Sequence, residues 1–184
     1  MTFRNILTII SLLVLMVVAA SRIHTGGEPL YTIKSEIVLP APVEQCWAVL
    51  TDFARYPEWN PYATRVEGEF RVGEKLSFTI VDENFEAPLD LESTLETILP
   101  NEHFNWVGTL LMRGVHDTRH GFRLRDEGDG TTHLLHYEEF RGFLARILPD
   151  RAVRVGKTRE SFDRMNEALR RRLSKPAEAP RSRG

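Results

Sequence analysis

A chain of 184 residues with 24 Lys and Arg against 26 Asp and Glu, formal charge −2, is long enough for one domain with a real core and too short for a second full domain. Its acids and bases are spread along the chain, so no field of one sign draws in nucleic acid and no such partner is expected. The single cysteine, Cys46, excludes an internal disulfide, and among Val43, Trp47 and Leu50 it reads as a small buried apolar residue rather than a reactive thiol.

Ile6 to Ala20 is apolar apart from Thr8 and Ser11, with Arg4 before it and Arg22 after. A spanning helix needs about 20 residues, which this segment reaches only by taking in Phe3 to Ile23. Residues 1–23 are therefore expected to form an N-terminal hydrophobic helix that anchors the chain in a membrane, a single pass with the domain outside the cytoplasm. Ala19-Ala20-Ser21 offers the alternative, a small-residue cleavage site that would leave a secreted or periplasmic protein. Two glycines and a proline make residues 24–30 a linker, residues 31–173 form the domain, and residues 174–184, with two prolines and no apolar period, are expected to be a disordered tail.

Within the domain, Ile33 to Leu39 alternates as a strand and stops at Pro40. Val43, Trp47 and Leu50 then recur at helical spacing after Pro42. A second helical turn ends in the corner Trp59-Asn60-Pro61. Six extended segments follow: Tyr62 to Phe70, Lys75 to Val81, Leu89 to Leu99, His103 to Leu111, Arg113 to Asp126 and Thr131 to Phe140. In the third of these, Leu89, Leu91, Ser93, Leu95, Thr97 and Leu99 are opposed to Asp90, Glu92, Thr94 and Glu96. Gly128-Asp129-Gly130 closes the last pair as a long hairpin. If Asp126 pairs with Thr132, the register sets Leu124 against Leu134, Phe122 against His136 and His120 against Glu138. Val155, Thr158, Phe162, Met165, Leu169 and Leu173 then trace one stripe of a long helix, which must lie on something, and the concave face of a curved sheet is the simplest partner.

The order strand, tight corner, helix, then Asp52-Phe53-x-x-Tyr56-Pro57-x-Trp59-Asn60-Pro61, six strands and a long helix resembles the START/SRPBCC superfamily, the helix-grip fold that includes polyketide cyclase-like proteins. That resemblance covers nearly all of Tyr31 to Leu173. It implies an α+β fold in which a seven-stranded curved antiparallel sheet wraps a long C-terminal helix, with two short helices after strand 1. It also implies a cavity between sheet and helix that takes a hydrophobic small molecule, and it places Trp59 and Asn60 near the cavity entrance. Their plainer reading is that Trp59 caps the core and Asn60 holds the turn.

Candidate walls of the cavity are Phe78, Ile80, Phe104, Trp106, Leu110, Phe122 and Phe140, with Leu124 and Leu134 beside them and Phe162 and Met165 from the helix. For any one of them plain core packing is the competing reading. His120, His136 and Glu138 are the candidate polar groups. A histidine beside a carboxylate in an apolar pocket is a competent general acid or base, whereas the same pair on the wet face is an ordinary cross-strand contact. No metal site is expected: His116 and His120 lie about 13 Å apart at strand rise, and His133 and His136 face opposite sides. No glycine loop for phosphate, serine elbow or cysteine pair is present, so no cofactor is read. Arg170, Arg171 and Arg172 suit anionic lipid, or more simply the solvated C-terminal turn of a helix.

Three functions remain. The first is a membrane-anchored or exported protein that binds a hydrophobic or amphipathic molecule, a lipid or polyketide-like compound, without any covalent step. The second is a cyclase or dehydratase that moves protons through the cavity His and Glu, and the third is a cell-envelope interaction module with a sealed core.

Overall fold

Strand β1 (Tyr31–Leu39) ends where Pro40 can donate nothing to a ladder, and Pro42, at φ −57 and ψ 153, turns the chain into helix α1 (Val43–Thr51). A 3-10 turn (Phe53–Arg55) and the one-turn helix α2 (Tyr56–Trp59) follow. The computed structural model describes residues 5–8, 11, 15, 19, 28–110, 114–142, 145 and 151–174. Most of the expected anchor, the linker as far as residue 27 and the tail from residue 175 lie outside the described residues. Among those described, no helix is long and apolar enough to cross a membrane.

Six further strands, β2 (Ala63–Glu67), β3 (Lys75–Ile80), β4 (Leu89–Leu99), β5 (His103–Leu110), β6 (His116–Asp126) and β7 (Thr132–Arg141), pair antiparallel in the order β1-β7-β6-β5-β4-β3-β2. Strands β1 and β2 are the two edges of one curled sheet, so the segment holding α1 and α2 carries the chain from one edge to the other. Helix α3 (Arg151–Leu173) closes the fold and packs along β1. It buries Phe162, Met165 and Leu169 almost completely, each contributing about 1.5–3 kcal/mol. This is the expected helix-grip α+β architecture.

The β6–β7 register pairs Leu124 with Leu134, Phe122 with His136 and His120 with Glu138, as the hairpin arithmetic predicts. Three strands depart from the sequence reading. Strand β6 begins at His116 rather than Arg113, after a turn in which Gly114 has a φ of 87. Strand β2 is shorter than Tyr62 to Phe70, ending at Glu67 before Gly68, whose φ of 130 leaves the extended region, and its register shifts between Ala63 and Arg65. Strand β4 has a bulge between Leu95 and Thr97 that breaks the even alternation. Ile98 therefore packs on the core and Leu99 is exposed, the reverse of the simple pattern.

Candidate functional site

The concave face is an aromatic surface interrupted by a few polar groups. Trp106 lies nearly parallel to the His120 ring, with centroids 4.7 Å apart and planes at 10°. Tyr62 faces His120 at 6.1 Å and also at 10°. Beyond His120, the His136 ring stacks on Phe162 of α3 at 3.9 Å. Both histidines are buried. Their Nε2 atoms are 2.9 Å apart, and His136 Nδ1 is 3.1 Å from Asn166 Oδ1.

Burial explains the acid–base character of this cluster. Desolvation pushes the His120 imidazole down to about 3. It also holds His136 well below the ordinary imidazole range, with the His120 ring adding to the effect and the Asn166 hydrogen bond opposing it. Glu138 keeps part of its surface open; desolvation, with the Asp82 charge adding, pushes its carboxyl up to about 8. Burial, then Glu138 and Asp82, raise the Tyr62 phenol well above its ordinary value. Near neutral pH the site therefore holds two neutral imidazoles and a largely protonated Glu138.

A cavity of about 40 Å³ opens here, lined by Phe78, Ile80, Trp106, Phe122 and Met165 on its apolar side and by Tyr62, Thr118, His120 and Glu138 on its polar side. It has room for about three water molecules. A larger hollow of about 530 Å³ lies between the Phe53–Arg55 turn and β2, but it is an open surface depression with Arg65 and Glu67 on its rim. The smaller cavity, beside His120 and Glu138, is the better site. Among the described residues, no group of three or more His, Cys, Asp or Glu is placed to hold a metal ion.

Residues 31–175 match the family described as polyketide cyclase/dehydrase and lipid transport. The chain belongs to this polyketide cyclase/dehydrase and lipid transport family. No curated protein sequence matches it. Among solved structures, a START superfamily protein from Mycobacterium smegmatis is similar at TM-score 0.61 and 16% identity, over 77% of this chain and 96% of the other. A protein from Mesorhizobium loti gives 0.59 and 20%, over 78% and 96%. The Zhui aromatase/cyclase from Streptomyces sp. R1128 gives 0.53 and 17%, over 78% and 93%. These likenesses establish the START-type fold of this polyketide cyclase/dehydrase family member.

Of the residues singled out from sequence, Phe78, Ile80, Trp106, His120, Phe122, Glu138 and Met165 come together around the cavity. His136 and Phe162 lie directly behind His120. Phe104 belongs instead to the aromatic core beside α1, and Phe140 stacks on Tyr31 at 4.6 Å. Leu110 ends β5, and its side chain lies outside the described residues. Trp59, half-buried, packs edge-to-face on Tyr56, while Asn60 Oδ1 accepts from the Tyr62 and Ala63 amides at 2.9 and 3.0 Å and so holds the corner. Neither lines the cavity. His120 and Glu138 share a register position but no hydrogen bond; His120 is bonded to His136, and the charge that bears on Glu138 is that of Asp82.

Sequence reasoning missed Tyr62, Asn166, Ser35 and Asp82. Two of these left a signal. Asn166 sits one turn beyond Phe162, a polar residue inside the apolar stripe, and Ser35 falls on the inward phase of Ile33, Ile37 and Leu39.

Proposed function

We propose that this domain binds a small, mostly apolar molecule with a hydrogen-bonding end in the cavity between the sheet and α3. The observation that carries the reading is the junction of an aromatic wall with His120 and Glu138 around one cavity. Family membership supports it, since lipid transport stands in the family's description, and the apolar segment Phe3 to Ile23 would hold such a binder at a membrane or export it. At about 40 Å³ the cavity takes one end of a ligand, and a whole lipid or polyketide-like molecule enters only if α3 and the sheet move apart.

Native mass spectrometry of the purified full chain tests this. The expected result is a co-purified apolar molecule that is lost when Met165→Trp fills the cavity. A chain that carries no adduct, and whose melting temperature no apolar compound raises, would leave the sealed interaction module in its place. The mature N-terminus tests the anchor, since a start near Ser21 or Arg22 means a removed signal.

A second reading, a cyclase or dehydratase like the aromatase/cyclase named above, is favoured by the His120 imidazole and the Glu138 carboxyl at the cavity, with His136 bonded behind His120. Turnover of a cyclisation substrate that disappears in His120→Ala would establish it.

A further inference from the structure

One run of hydrogen bonds joins β6, β7, α3 and β1 behind the cavity. From the inside outward it passes from His120 Nε2 to His136 Nε2 (2.9 Å), from His136 Nδ1 to Asn166 Oδ1 (3.1 Å), from Asn166 Nδ2 to Ser35 Oγ (2.8 Å), and from Ser35 Oγ to Asp163 Oδ1. The first four residues are buried, and Asp163 is exposed on α3.

The exposed end dictates every direction. A carboxylate only accepts, so the one hydroxyl proton of Ser35 goes to Asp163. The Ser35 oxygen is then an acceptor, which turns the Asn166 amide so that its N–H₂ faces Ser35 and its oxygen faces His136. His136 must therefore donate from Nδ1. A neutral imidazole has a single N–H, so His136 Nε2 is bare and the proton between the two rings belongs to His120 Nε2. His120 Nδ1 is left as a lone pair. It has no protein partner among the described residues, and its ring lines the cavity.

We propose that Asp163, Ser35 and Asn166 are positioning residues that fix both imidazole tautomers, making His120 Nδ1 a hydrogen-bond acceptor that selects ligands carrying a neutral O–H donor, a phenol or an enol. This assignment rests on the binding role proposed above. A run of bonds that merely fastened helix to sheet would have no use for the open nitrogen at its inner end. Glu138, directly across the ladder from His120, supplies the complementary O–H donor when protonated, so a ligand bearing a hydroxyl near a second oxygen satisfies both. Among the described residues the cavity lining has no Lys or Arg, so none of them offers an anionic end a counter-charge.

Two-bond proton–nitrogen correlation spectra of the histidine rings in the full chain at neutral pH test the tautomers. His136 is expected to be protonated at Nδ1 and His120 at Nε2. Asn166→Leu and the milder Ser35→Ala should each scramble that pattern, while Asn166→Asp, which still accepts from Nδ1, should keep it. Phenol added to the wild type should shift His120 Nδ1 and bind about tenfold more tightly than anisole, one neutral hydrogen bond's worth. In Asn166→Leu that preference should fall to near unity. A wild-type His120 protonated at Nδ1, or a tautomer pattern unchanged in both Asn166→Leu and Ser35→Ala, overturns the relay, and equal affinity for phenol and anisole overturns the selection. The expected tautomers with neither compound bound would sink the binding role while leaving the relay intact.

Discussion

The two halves of the inner face are built from different material. Beside α1, Trp47, Phe53, Phe70 and Phe104 meet edge to face with centroids 5.3 to 6.0 Å apart and make no polar contact with one another. Beside α3, rings of the same size are interleaved with His120, His136, Asn166 and Ser35, joined by directed bonds. Shape alone specifies the first half, and its cost of error is a void. Direction specifies the second, where each donor and acceptor constrains the next and an error leaves a desolvated group unpaired. A protein that needed only a core would have repeated the first half across the whole sheet. The departure from it marks where the chemistry is.

The contrast breaks most visibly in the dry half. Phe104 is fully buried among four other rings, so Phe104→Ala should lower the unfolding free energy by about 3–5 kcal/mol in urea titration. A loss below about 1.5 kcal/mol would mean that the rings do not interlock as described. At the corner leading into Tyr62, which faces His120, Asn60→Ala removes the acceptor of two buried amides and should cost about 1–3 kcal/mol, with no change in whatever the cavity binds. An unchanged stability with altered binding would make Asn60 a gate instead.

The polar half should show itself in pH. Folding raises Glu138 from an ordinary 4.5 to about 8, so the stability tied to its protonated form is present below 4.5 and is lost as pH rises through 8. The histidines run the other way. His120 falls from 6.5 to about 3 and His136 falls well below 6.5, so their contribution is present above 6.5 and is lost as pH falls. Between 4.5 and 6.5 two histidines outweigh one carboxyl, and above 6.5 Glu138 acts against them alone. Thermal melts should therefore peak near pH 6.5. Glu138→Gln should abolish the decline above it, which is at most ~1.4 kcal/mol per pH unit. A decline that persists in Glu138→Gln would place its origin elsewhere.

What the sequence disclosed follows the same division. The succession of seven strands along the chain, the β6–β7 register and the apolar stripe of α3 were legible because period and turn chemistry are local. The bulge in β4 was not, because nothing in Leu95-Glu96-Thr97 distinguishes it from plain alternation. His120 and Glu138 were correctly set opposite each other, yet the bonds of His120 run to His136 and through it to α3, a partner set by helix docking that no strand pattern encodes. Ser35 and Asn166 meet across 131 residues of chain, so each looked like an isolated polar exception on an apolar face.

The short β2 has a consequence of its own. A seven-stranded open sheet offers two unpaired borders where a neighbouring molecule's backbone can attach, and α3 packs along the β1 side. On the other side β2 offers only five residues, with a kink between Ala63 and Arg65 and an exposed Arg65 paired to Glu67 and Asp90. That border is too brief, too bent and too charged to template the stacking of one copy on the next along β2.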